Sequence, residues 1–484
     1  MSEPVLIQGG MGVAVSNWRL AREVSLSGQL GVVSGTMIDV VMCRRLQDGD
    51  PGGHVLRALE AFPDQDIAGD IIEKYYIEGG KSKDEPYRPL PMHSMKTGRP
   101  LTEITVAANF VEVYLAKEGH DGLVGINYLE KIQLPTLPSL FGAILAGVDY
   151  VLMGAGIPRA IPAVIASLAS WQETSLKIAV TGSQPGEEYS VSFNPRQFFR
   201  SSPASPRPLE KPKFLAIVSS VALAKSLARK GSAGIHGFVV ENHKAGGHNA
   251  PPRGGLKLSE DGEPVYSEKD EVDLKQIKDL GLPFWLAGSY WSREAVDQAL
   301  AEGACGVQVG TPFAFCRESG FDETIKTRVI EMVKSGQARV TTDCRASSSG
   351  YPFKIVELDG SLSGEDDYQE RCRVCDLGYL REAYRNDDGT VGFRCPGEPQ
   401  AVYLAKGGCL DDTIGRKCLC NALLSSAGLP QIQSNSDGSY QEKPLVTSGK
   451  QLCEIARFME PGESSYSARS VVDRILEPQP CLSR

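Results

Sequence analysis

The sequence has no excess of positive charge, and this absence bears on its partners. Its 51 Lys and Arg residues are outnumbered by 60 Asp and Glu residues, so the 484-residue chain carries a formal net charge of -9. Nucleic acids and anionic membranes repel a surface of this sign. We therefore expect a small-molecule substrate, with no nucleic-acid or membrane partner.

Long hydrophobic runs and targeting signals are also lacking. The most apolar stretch, residues 134–169, is interrupted by Pro138, Asp149 and Pro158, which fits a helix–strand–helix unit better than a bilayer span. The first ten residues show no basic region followed by an apolar core, the pattern of a signal peptide. We expect a cytoplasmic protein whose cysteines are reduced thiols or metal ligands.

Cysteine is scarce in the first two-thirds of the chain. Only Cys43, Cys305 and Cys316 precede residue 340, and nine follow it: Cys344, Cys372, Cys375, Cys395, Cys409, Cys418, Cys420, Cys453 and Cys481. This asymmetry, with a change to polar turns after about residue 320, indicates two modules. The predicted bounds are 1–325 for the larger module and 326–484 for a smaller, Cys-rich C-terminal module.

Short apolar runs alternate with amphipathic segments through the larger module. Nearly continuous apolar runs indicate strands buried on both faces, as in a parallel sheet with crossover helices. Eight strand–helix units in about 320 residues predict an α/β fold, the (β/α)8 or TIM barrel with insertions, over an open doubly wound sheet. The eight predicted strands are Val5–Gln8, Leu30–Ser34, Leu123–Tyr128, Tyr150–Met153, Phe214–Ser219, Gly237–Glu241, Phe284–Ala287 and Gly306–Val309.

Two stretches interrupt the repeat. Residues 44–100 contain an acidic and then a Pro-containing segment, and residues 176–212 hold a strand-like KIAVTG followed by SSPASPRPLEKP. Both follow strand ends, where barrel enzymes build active-site loops. We expect them either to cover a substrate pocket or to be tolerated surface insertions.

Small residues at three strand ends indicate a cofactor site. Gly9, Gly10 and Met11 follow the first strand, where missing Cβ atoms let the backbone approach a planar cofactor; a tight turn is the alternative. Strands seven and eight end in Ala287-Gly288-Ser289 and Gly310-Thr311, where barrels bind phosphate. No GxGxxG opens a βαβ unit, so a phosphate site on a barrel favours FMN over a dinucleotide.

The segment after the sixth strand carries the most reactive side chains. It contains His243, Lys244, Gly246, Gly247 and His248. A histidine near its ordinary pKa exchanges protons at neutral pH, and the two glycines let the chain turn over a ring. We expect His248 to act at the barrel mouth, with His243 and Lys244 as further catalytic candidates; a loop histidine that faces solvent is the alternative.

At these residues the chain resembles the nitronate monooxygenase (2-nitropropane dioxygenase) family and the related flavin-dependent enoyl-acyl carrier protein reductases. The matching segments cover most of residues 1–320: IQGGMG, LAREVSLSGQLGVVSGT, GINYL, HGFVVENHKAGGH and LAGS with ALAEGACGVQVGTPF. The resemblance implies an FMN-binding barrel in which His248 is the catalytic acid or base. It also implies that the flavin contacts Gly10, Met11, Asn127, Ala287, Gly288, Ser289, Gly310 and Thr311.

Three departures from the family pattern bear on the substrate. Lys244 replaces the usual Glu before Ala-Gly-Gly-His, Ala250 replaces a Gly, and Ile217-Val218-Ser219 stands where a lysine near the flavin is common. We place Ser219 beside the cofactor at this position, together with Gly246 and Gly247. A lysine in place of a carboxylate reverses the local charge, which favours an anionic substrate or a reduced, anionic flavin.

The C-terminal cysteines form a separate pattern. Cys372-x-x-Cys375, followed by Cys395 and Cys409, predicts a four-thiolate site for zinc or an iron–sulfur cluster, with Cys418 and Cys420 as further candidate ligands. Free buried thiols and a redox pair are the alternatives, because a CxxC motif supports each of them.

The leading hypothesis is an FMN-dependent oxidoreductase of the nitronate monooxygenase type, which oxidises a small anionic substrate with O2 and uses His248 as acid or base. The alternative is an NAD(P)H-dependent flavin enoyl reductase that acts on an acyl or polyketide-type substrate, with the C-terminal module used for docking or redox transfer. A homo-oligomer or an acyl-carrier partner is compatible with both hypotheses.

Overall fold

The computed structural model describes residues 3–200, 207–230, 234–435 and 438–477. Residues 201–206 of the second insertion and Cys481 therefore lie outside the described residues. Within the described part of the chain, no helix combines the length and the apolar character that a membrane span requires.

Eight parallel strands form a closed barrel. They are β1 (Leu6–Gln8), β2 (Gly31–Ser34), β3 (Val124–Leu129), β4 (Tyr150–Gly154), β5 (Lys213–Val218), β6 (Ile235–Glu241), β7 (Phe284–Ala287) and β8 (Gly306–Val309). Each strand pairs in parallel with the next from β2 to β8, and β8 pairs with β1. A parallel bridge between Ile7 and Leu30 closes the ring. The predicted barrel and its eight strands are confirmed.

The barrel interior is filled by side chains, which makes it a packed core and not a pore. The Trp285 indole is fully buried there, and its Nε1 donates a hydrogen bond of 2.7 Å to the carbonyl of Pro4 at the amino-terminal end. The other members of this cluster come from six strands and the residue before β2: Ile7, Leu30, Val32, Tyr150, Leu152, Leu215, Val239 and Ala287.

Helices and short hairpins surround the strands. The α-helices are Trp18–Leu26, Ile38–Gln47, His54–Glu60, Gln65–Tyr75, Arg99–Lys117, Thr136–Leu145, Ile161–Ala169, Pro195–Phe198, Val221–Lys230, Leu274–Lys278, Arg293–Ala301, Thr311–Ala314, Glu323–Lys334, Glu365–Glu370, Gln400–Ala405, Leu419–Ser426 and Ala468–Leu476, and the 3-10 helices are Glu268–Asp270, Leu410–Thr413 and Leu452–Phe458. Antiparallel hairpins pair Thr174–Lys177 with Ser190–Phe193, Val340–Asp343 with Phe353–Val356, Glu382–Arg385 with Val391–Arg394, and Ile432–Asn435 with Gly438–Gln441.

Polar side chains cap the barrel helices where the sequence supplies them. The Asn17 side chain accepts a hydrogen bond from the backbone N–H of Leu20, and Ser292 does the same for Ala295. Such caps satisfy N–H groups that lack a partner in the first turn and typically stabilise a helix by about 1 kcal/mol.

The chain returns to the barrel after the cysteines. The helices Glu323–Lys334 and Ala468–Leu476 bury their apolar faces in the same core cluster as the earlier barrel helices. Ala468–Leu476 packs against both Trp18–Leu26 and Arg293–Ala301, so it occupies the position of a barrel helix. The two-module division at residue 325 stays a prediction. We refer to residues 335–467, between these two helices, as the Cys-rich segment.

Both insertions contact the Cys-rich segment. In the first insertion, the Tyr87 N–H donates to Gln431 Oε1 at 2.8 Å, and Tyr87 packs with Leu377 and Leu429 of the segment. In the second, the Thr181 N–H donates to the carbonyl of Ala383 at 2.9 Å. The described parts of the two insertions therefore pack against the Cys-rich segment.

Candidate active site

A cavity of about 410 Å3 opens at the carboxyl ends of the strands, and we call it the mouth cavity. Its volume falls in the range of small-molecule sites, and this end of a barrel is where enzymes of this fold carry their chemistry. Every residue predicted from the sequence to contact the cofactor lines it: Gly9, Gly10, Met11, Asn127, Ser219, Gly246, Gly247, Ala287, Gly288, Ser289, Gly310 and Thr311.

Two of these positions require glycine. A Cβ atom on Gly10 would collide with the Asn127 side chain, which in turn donates through Nδ2 to the Gly10 carbonyl at 3.4 Å. Gly288 has a φ of +106°, a conformation that favours glycine, and a Cβ there would collide with Asn242. Both glycines line the mouth cavity, and neither places a side chain in it.

The loop after β6 is held in place by the Cys-rich segment. The Gly247 N–H donates to Thr447 Oγ1 at 3.0 Å, and the Gly247 carbonyl accepts from the Lys354 N–H at 3.0 Å. The buried Lys354 ammonium donates to the His243 carbonyl at 2.6 Å and also to Asn249 Oδ1. The loop is thus fixed from two sides, which orients the side chain between these contacts.

That side chain is His248, which lines the mouth cavity. Its Nε2 lies 2.7 Å from Ser347 Oγ, and Phe353 packs edge-on against the imidazole at 4.8 Å between ring centroids. Burial lowers the pKa of His248 to about 4, and the nearby Lys131 cation acts in the same direction. The imidazole is therefore neutral at neutral pH and can accept a proton.

The two other predicted catalytic residues are placed differently. Lys244 is exposed and lines the mouth cavity, where its charge faces entering molecules. His243 is not among the residues that line the cavity; its ring stacks on Tyr266 at 4.4 Å. The structure therefore brings Lys244 and His248 to the site and leaves His243 outside it.

Several lining residues were not predicted. Glu241, at the end of β6, lines the cavity, and burial raises its pKa to about 7 against the opposing effect of the Lys354 cation. The Gly449 N–H donates to Thr311 Oγ1 at 2.8 Å, which joins the Cys-rich segment to the end of β8. Other lining residues of this segment are Tyr351, Phe353, Leu423, Thr447, Ser448 and Gln451. No local sequence motif indicates these residues, because contacts between distant parts of the chain bring them to the cavity.

The insertions do not cover the cavity. None of the described residues in 44–100 and 176–212 lines it, so the expectation of a pocket cover from these stretches is not met. The cover comes from the Cys-rich segment.

The cavity residues fit FMN. Gln308 and Gln451 line the cavity, and the Oε1 atom of each is buried without a hydrogen-bond partner in the described structure. A buried amide oxygen without a partner can accept a hydrogen bond from a ligand N–H group without first losing another hydrogen bond. The open backbone at Gly288 and Gly310 suits a phosphate, as barrels commonly bind it after strands seven and eight.

The predicted metal ligands are not brought together. Cys372 and Cys409 are exposed and do not line the cavity that Cys375 and Cys395 share, so the set of Cys372, Cys375, Cys395 and Cys409 stays a prediction. Across the described residues, no group of three or more His, Cys, Asp or Glu residues is arranged to hold a metal ion. Cys375 and Cys395 instead line a second, small cavity with Cys418 and Cys420.

Comparison with known proteins supports the resemblance seen in the sequence. The family model described as nitronate monooxygenase matches residues 208–353, a stretch that contains the His248 loop and the ends of β7 and β8. This match confirms the resemblance over that stretch and supports an oxidoreductase of the flavin type.

Two curated relatives share part of their sequence with the chain. Both are named (3aS,4S,5R,7aS)-5-hydroxy-7a-methyl-1-oxo-octahydro-1H-indene-4-carboxyl-CoA dehydrogenase. The protein from Rhodococcus jostii is 26% identical over 147 residues, which are 30% of this chain and 35% of the relative. The protein from Mycobacterium tuberculosis is 25% identical over 143 residues, 30% of this chain and 36% of the relative. The chain thus matches about a third of the length of these relatives.

Two solved structures align with nearly the whole chain at low sequence identity. FabK from Thermotoga maritima aligns with a TM-score of 0.46 and 14% identity, covering 98% of this chain and 92% of that one. A nitroalkane oxidase from Streptomyces ansochromogenes aligns with a TM-score of 0.46 and 14% identity, covering 98% and 94%.

Proposed function

We propose that this protein is an FMN-dependent oxidoreductase that oxidises a small anionic substrate with molecular oxygen, and that His248 exchanges the proton in this reaction. The observation that carries the proposal is the meeting of the His248 loop with the strand ends suited to a flavin phosphate in one cavity. Bound FMN would supply the acceptor for two electrons from the substrate and would return them to oxygen.

The chain's own residues would bind and orient both molecules. Backbone groups at Gly288, Ser289 and Gly310 would hold the phosphate, and the turn at Gly10 would accommodate the ring. Phe353 and Leu423, contributed by the Cys-rich segment, line the cavity and would exclude water from the reacting atoms.

His248 is suited to the role of a base. In the tautomer in which Nε2 donates to Ser347 Oγ, Nδ1 carries the lone pair that would accept a proton from the substrate. Ser347 Oγ also lies 2.7 Å from Ser349 Oγ, so a hydroxyl chain fixes the orientation of the ring. An imidazole held neutral by burial is ready to take a proton without first losing one.

Two cations favour an anionic substrate. Lys244 is exposed at the cavity, and Lys131 lies close enough to depress the pKa of His248. Lys131 is held in place because its Nζ donates to the Ser349 carbonyl at 2.8 Å and lies 3.8 Å from the Tyr351 ring centroid. A negative group that enters beside them would gain electrostatic attraction in a partly dehydrated site.

The test is anaerobic mixing of the FMN-loaded protein with an alkyl nitronate and, separately, with the corresponding neutral nitroalkane. We expect both to bleach the flavin absorbance and oxygen to restore it. The variant His248→Gln should slow the reaction with the neutral nitroalkane by about 100-fold or more and affect the nitronate less, because only the neutral form must lose a proton. His54→Gln, outside the mouth cavity, is the matched control. Unchanged absorbance with both compounds would overturn the proposal.

A second candidate is redox chemistry on an acyl thioester, with NAD(P)H as the reductant in the direction of double-bond reduction. The observation in its favour is that both curated relatives are named as dehydrogenases of a carboxyl-CoA compound. Anaerobic bleaching of the flavin by NADH or NADPH, with no response to nitronates, would favour this candidate over the first.

A further inference from the structure

A polar cavity of about 320 Å3 lies beside the mouth cavity, and we call it the arginine cavity. Its wall comes from the turn after β1, the helices Trp18–Leu26 and Ile38–Gln47, and residues 317–323, which follow β8. Three arginines line it: Arg19, Arg45 and Arg317. Its volume lies at the lower end of the range of small-molecule sites.

Two of these arginines have no anionic partner. The residues that line the cavity form two ion pairs within the described structure, Arg45 with Glu112 and Glu323 with Lys326, and neither involves Arg19 or Arg317. Both side chains are exposed, and Arg19 lies over the Trp18 ring at 4.6 Å from its centroid. One exposed arginine without an ion pair is ordinary at a surface. Two that line one concave space repel each other unless an anion lies between them.

Arg45 is fixed at the cavity wall by its ion pair. Its Nη1 atom donates to Glu112 Oε2 at 2.6 Å, and Glu112 Oε1 accepts a hydrogen bond from the Trp18 N–H at 2.8 Å. Glu112 does not line the cavity, so its carboxylate lies behind Arg45. The ion pair therefore positions Arg45 and adds no negative charge to the lining.

Two carboxylates line the cavity, and both are engaged elsewhere. Glu323 Oε1 lies 2.6 Å from Lys326 Nζ. Glu318 Oε2 accepts a hydrogen bond of 2.8 Å from the N–H of Ala468, in the first turn of the helix Ala468–Leu476. The three arginines outnumber these two carboxylates, so the lining is positive although the whole chain carries a net charge of -9. The charges nearest to a concave site dominate its potential, which here attracts anions.

Ser319 is a second indication of a ligand at this place. The residue lines the arginine cavity and is only 6% exposed, and its hydroxyl oxygen is buried without a hydrogen-bond partner among the described residues. Most buried hydroxyl groups in proteins do have a partner, so this one indicates a polar group that the chain itself does not supply. A hydroxyl and a guanidinium both donate to anionic oxygen atoms.

The charge of the site indicates the kind of anion. Two unpaired guanidinium groups are balanced by close to two negative charges, which a phosphate monoester carries at neutral pH and a single carboxylate does not. Guanidinium groups also match the geometry of phosphate oxygens. We propose that the arginine cavity binds the phosphate monoester group of a small-molecule ligand, with Arg19, Arg317 and the Ser319 hydroxyl as donors.

The arginine cavity shares a wall with the mouth cavity. Phe321 lines both, and its ring stacks on Phe315 at 5.3 Å between centroids. In the turn after β1, Val13 and Val15 line the mouth cavity, whereas Ala14 between them lines the arginine cavity. The phosphate would therefore lie beside the substrate site and apart from the strand ends assigned to the flavin phosphate. This inference does not depend on the proposed reaction.

The test is a calorimetric titration of the full-length, FMN-loaded protein with pairs of ligands that differ only in a phosphate monoester. Coenzyme A is compared with dephospho-coenzyme A, and NADP+ with NAD+. In at least one pair we expect the phosphorylated member to bind about tenfold more tightly or better, and the pair that shows the difference identifies the source of the phosphate. Inorganic phosphate should compete with it. Equal affinities within both pairs, or no binding of any of these ligands, would overturn the inference.

Matched variants locate the phosphate. Arg19→Gln and Arg317→Gln should each weaken binding of the phosphorylated ligand about tenfold or more, because each removes a charged hydrogen bond. Arg159→Gln, at an exposed position outside both cavities, should leave the affinity unchanged. Ser319→Ala should weaken binding severalfold without lowering the stability of the ligand-free protein, because the hydroxyl has no partner there to lose.

Thermal unfolding shows that each variant is folded before it is titrated. Equal affinities in the two cavity variants and in Arg159→Gln would contradict the assignment. If the protein does not retain FMN, the same titration of the flavin-free protein decides the question, because Arg19 and Arg317 do not line the mouth cavity. The failure of this inference and the failure of the flavin proposal are therefore distinguishable.

Discussion

The change Gly10→Ala tests whether the turn after β1 accommodates the flavin. A Cβ atom at this position would overlap the Asn127 side chain and lie 3.1 Å from Val32 Cγ1. Val32 is fully buried, so Asn127 is the group that must move. The overlapping atom is Asn127 Cβ, which moves only with the backbone of β3, and that shift would displace the Asn127 side chain that lines the mouth cavity, where FMN would bind.

The cost of this conflict can be worked out from packing energetics. Inserting one methyl group into a well-packed site typically costs about 1–3 kcal/mol. A cost of this size expressed in FMN binding would weaken it by about 5- to 150-fold, at 1.4 kcal/mol for each factor of ten. The matched control is Gly9→Ala, because a Cβ on Gly9 meets no atom closer than 3.4 Å, an ordinary contact.

The assay is a titration of the flavin-free proteins with FMN, followed by the quenching of flavin fluorescence. We expect the dissociation constant to rise for Gly10→Ala and to change less than about twofold for Gly9→Ala. Thermal unfolding of the flavin-free variants shows whether each is folded. Equal affinities in the two variants, with both proteins folded, would refute the reasoning.

Three further predictions concern charges. Burial lowers the pKa of His248 from an ordinary 6.5 to about 4, so histidine-selective NMR should show a neutral ring down to about pH 5. A resonance that titrates near pH 6.5 and is absent in His248→Gln would contradict this prediction. The pKa of Glu241 is raised from 4.5 to about 7, so its ionisation opposes folding and stability is lost as the pH rises between these values. Urea unfolding at pH 8 should find Glu241→Gln more stable than the unaltered protein by at most about 3 kcal/mol, and the difference should disappear at pH 4; a constant difference would exclude this origin. Arg371→Met would leave the fully buried Glu442 carboxylate without its partner at 2.7 Å, so this variant should lower the free energy of unfolding by about 3–5 kcal/mol. The control Arg469→Met removes an exposed ion pair and should change the free energy of unfolding by less than about 1 kcal/mol. Similar losses in both variants would contradict the reasoning.

The barrel could be predicted from the sequence because its signal is local. Each strand is buried on both faces, so runs such as Phe284–Ala287 are apolar throughout, and every residue of that run is buried in the structure. The glycines at positions 10 and 288 are required where the backbone faces the mouth cavity, so they too are visible as motifs.

The cover of the mouth cavity could not be predicted in this way. Thr447 and Gly449 reach the His248 loop and Thr311 across more than a hundred residues of sequence, through single hydrogen bonds that leave no periodic pattern. The insertions, by contrast, had a suggestive position after strand ends, but Tyr87 and Thr181 bind the Cys-rich segment and not the cavity.

Which cysteines lie together could not be predicted from the sequence either. The CxxC motif indicates Cys372, which is exposed, whereas Cys418 and Cys420 join Cys375 and Cys395 around one small cavity. Which thiols share a cavity is decided by how three turns pack, and spacing along the chain does not contain that information.

The central claim is that the mouth cavity binds FMN. It is tested most directly by releasing the flavin from the purified full-length protein by heat and identifying and quantifying it by chromatography. The account predicts FMN close to one per chain and its loss in Gly10→Ala but not in Gly9→Ala. A protein that neither retains FMN nor binds it when it is added, or that binds it equally well in both variants, would contradict the account.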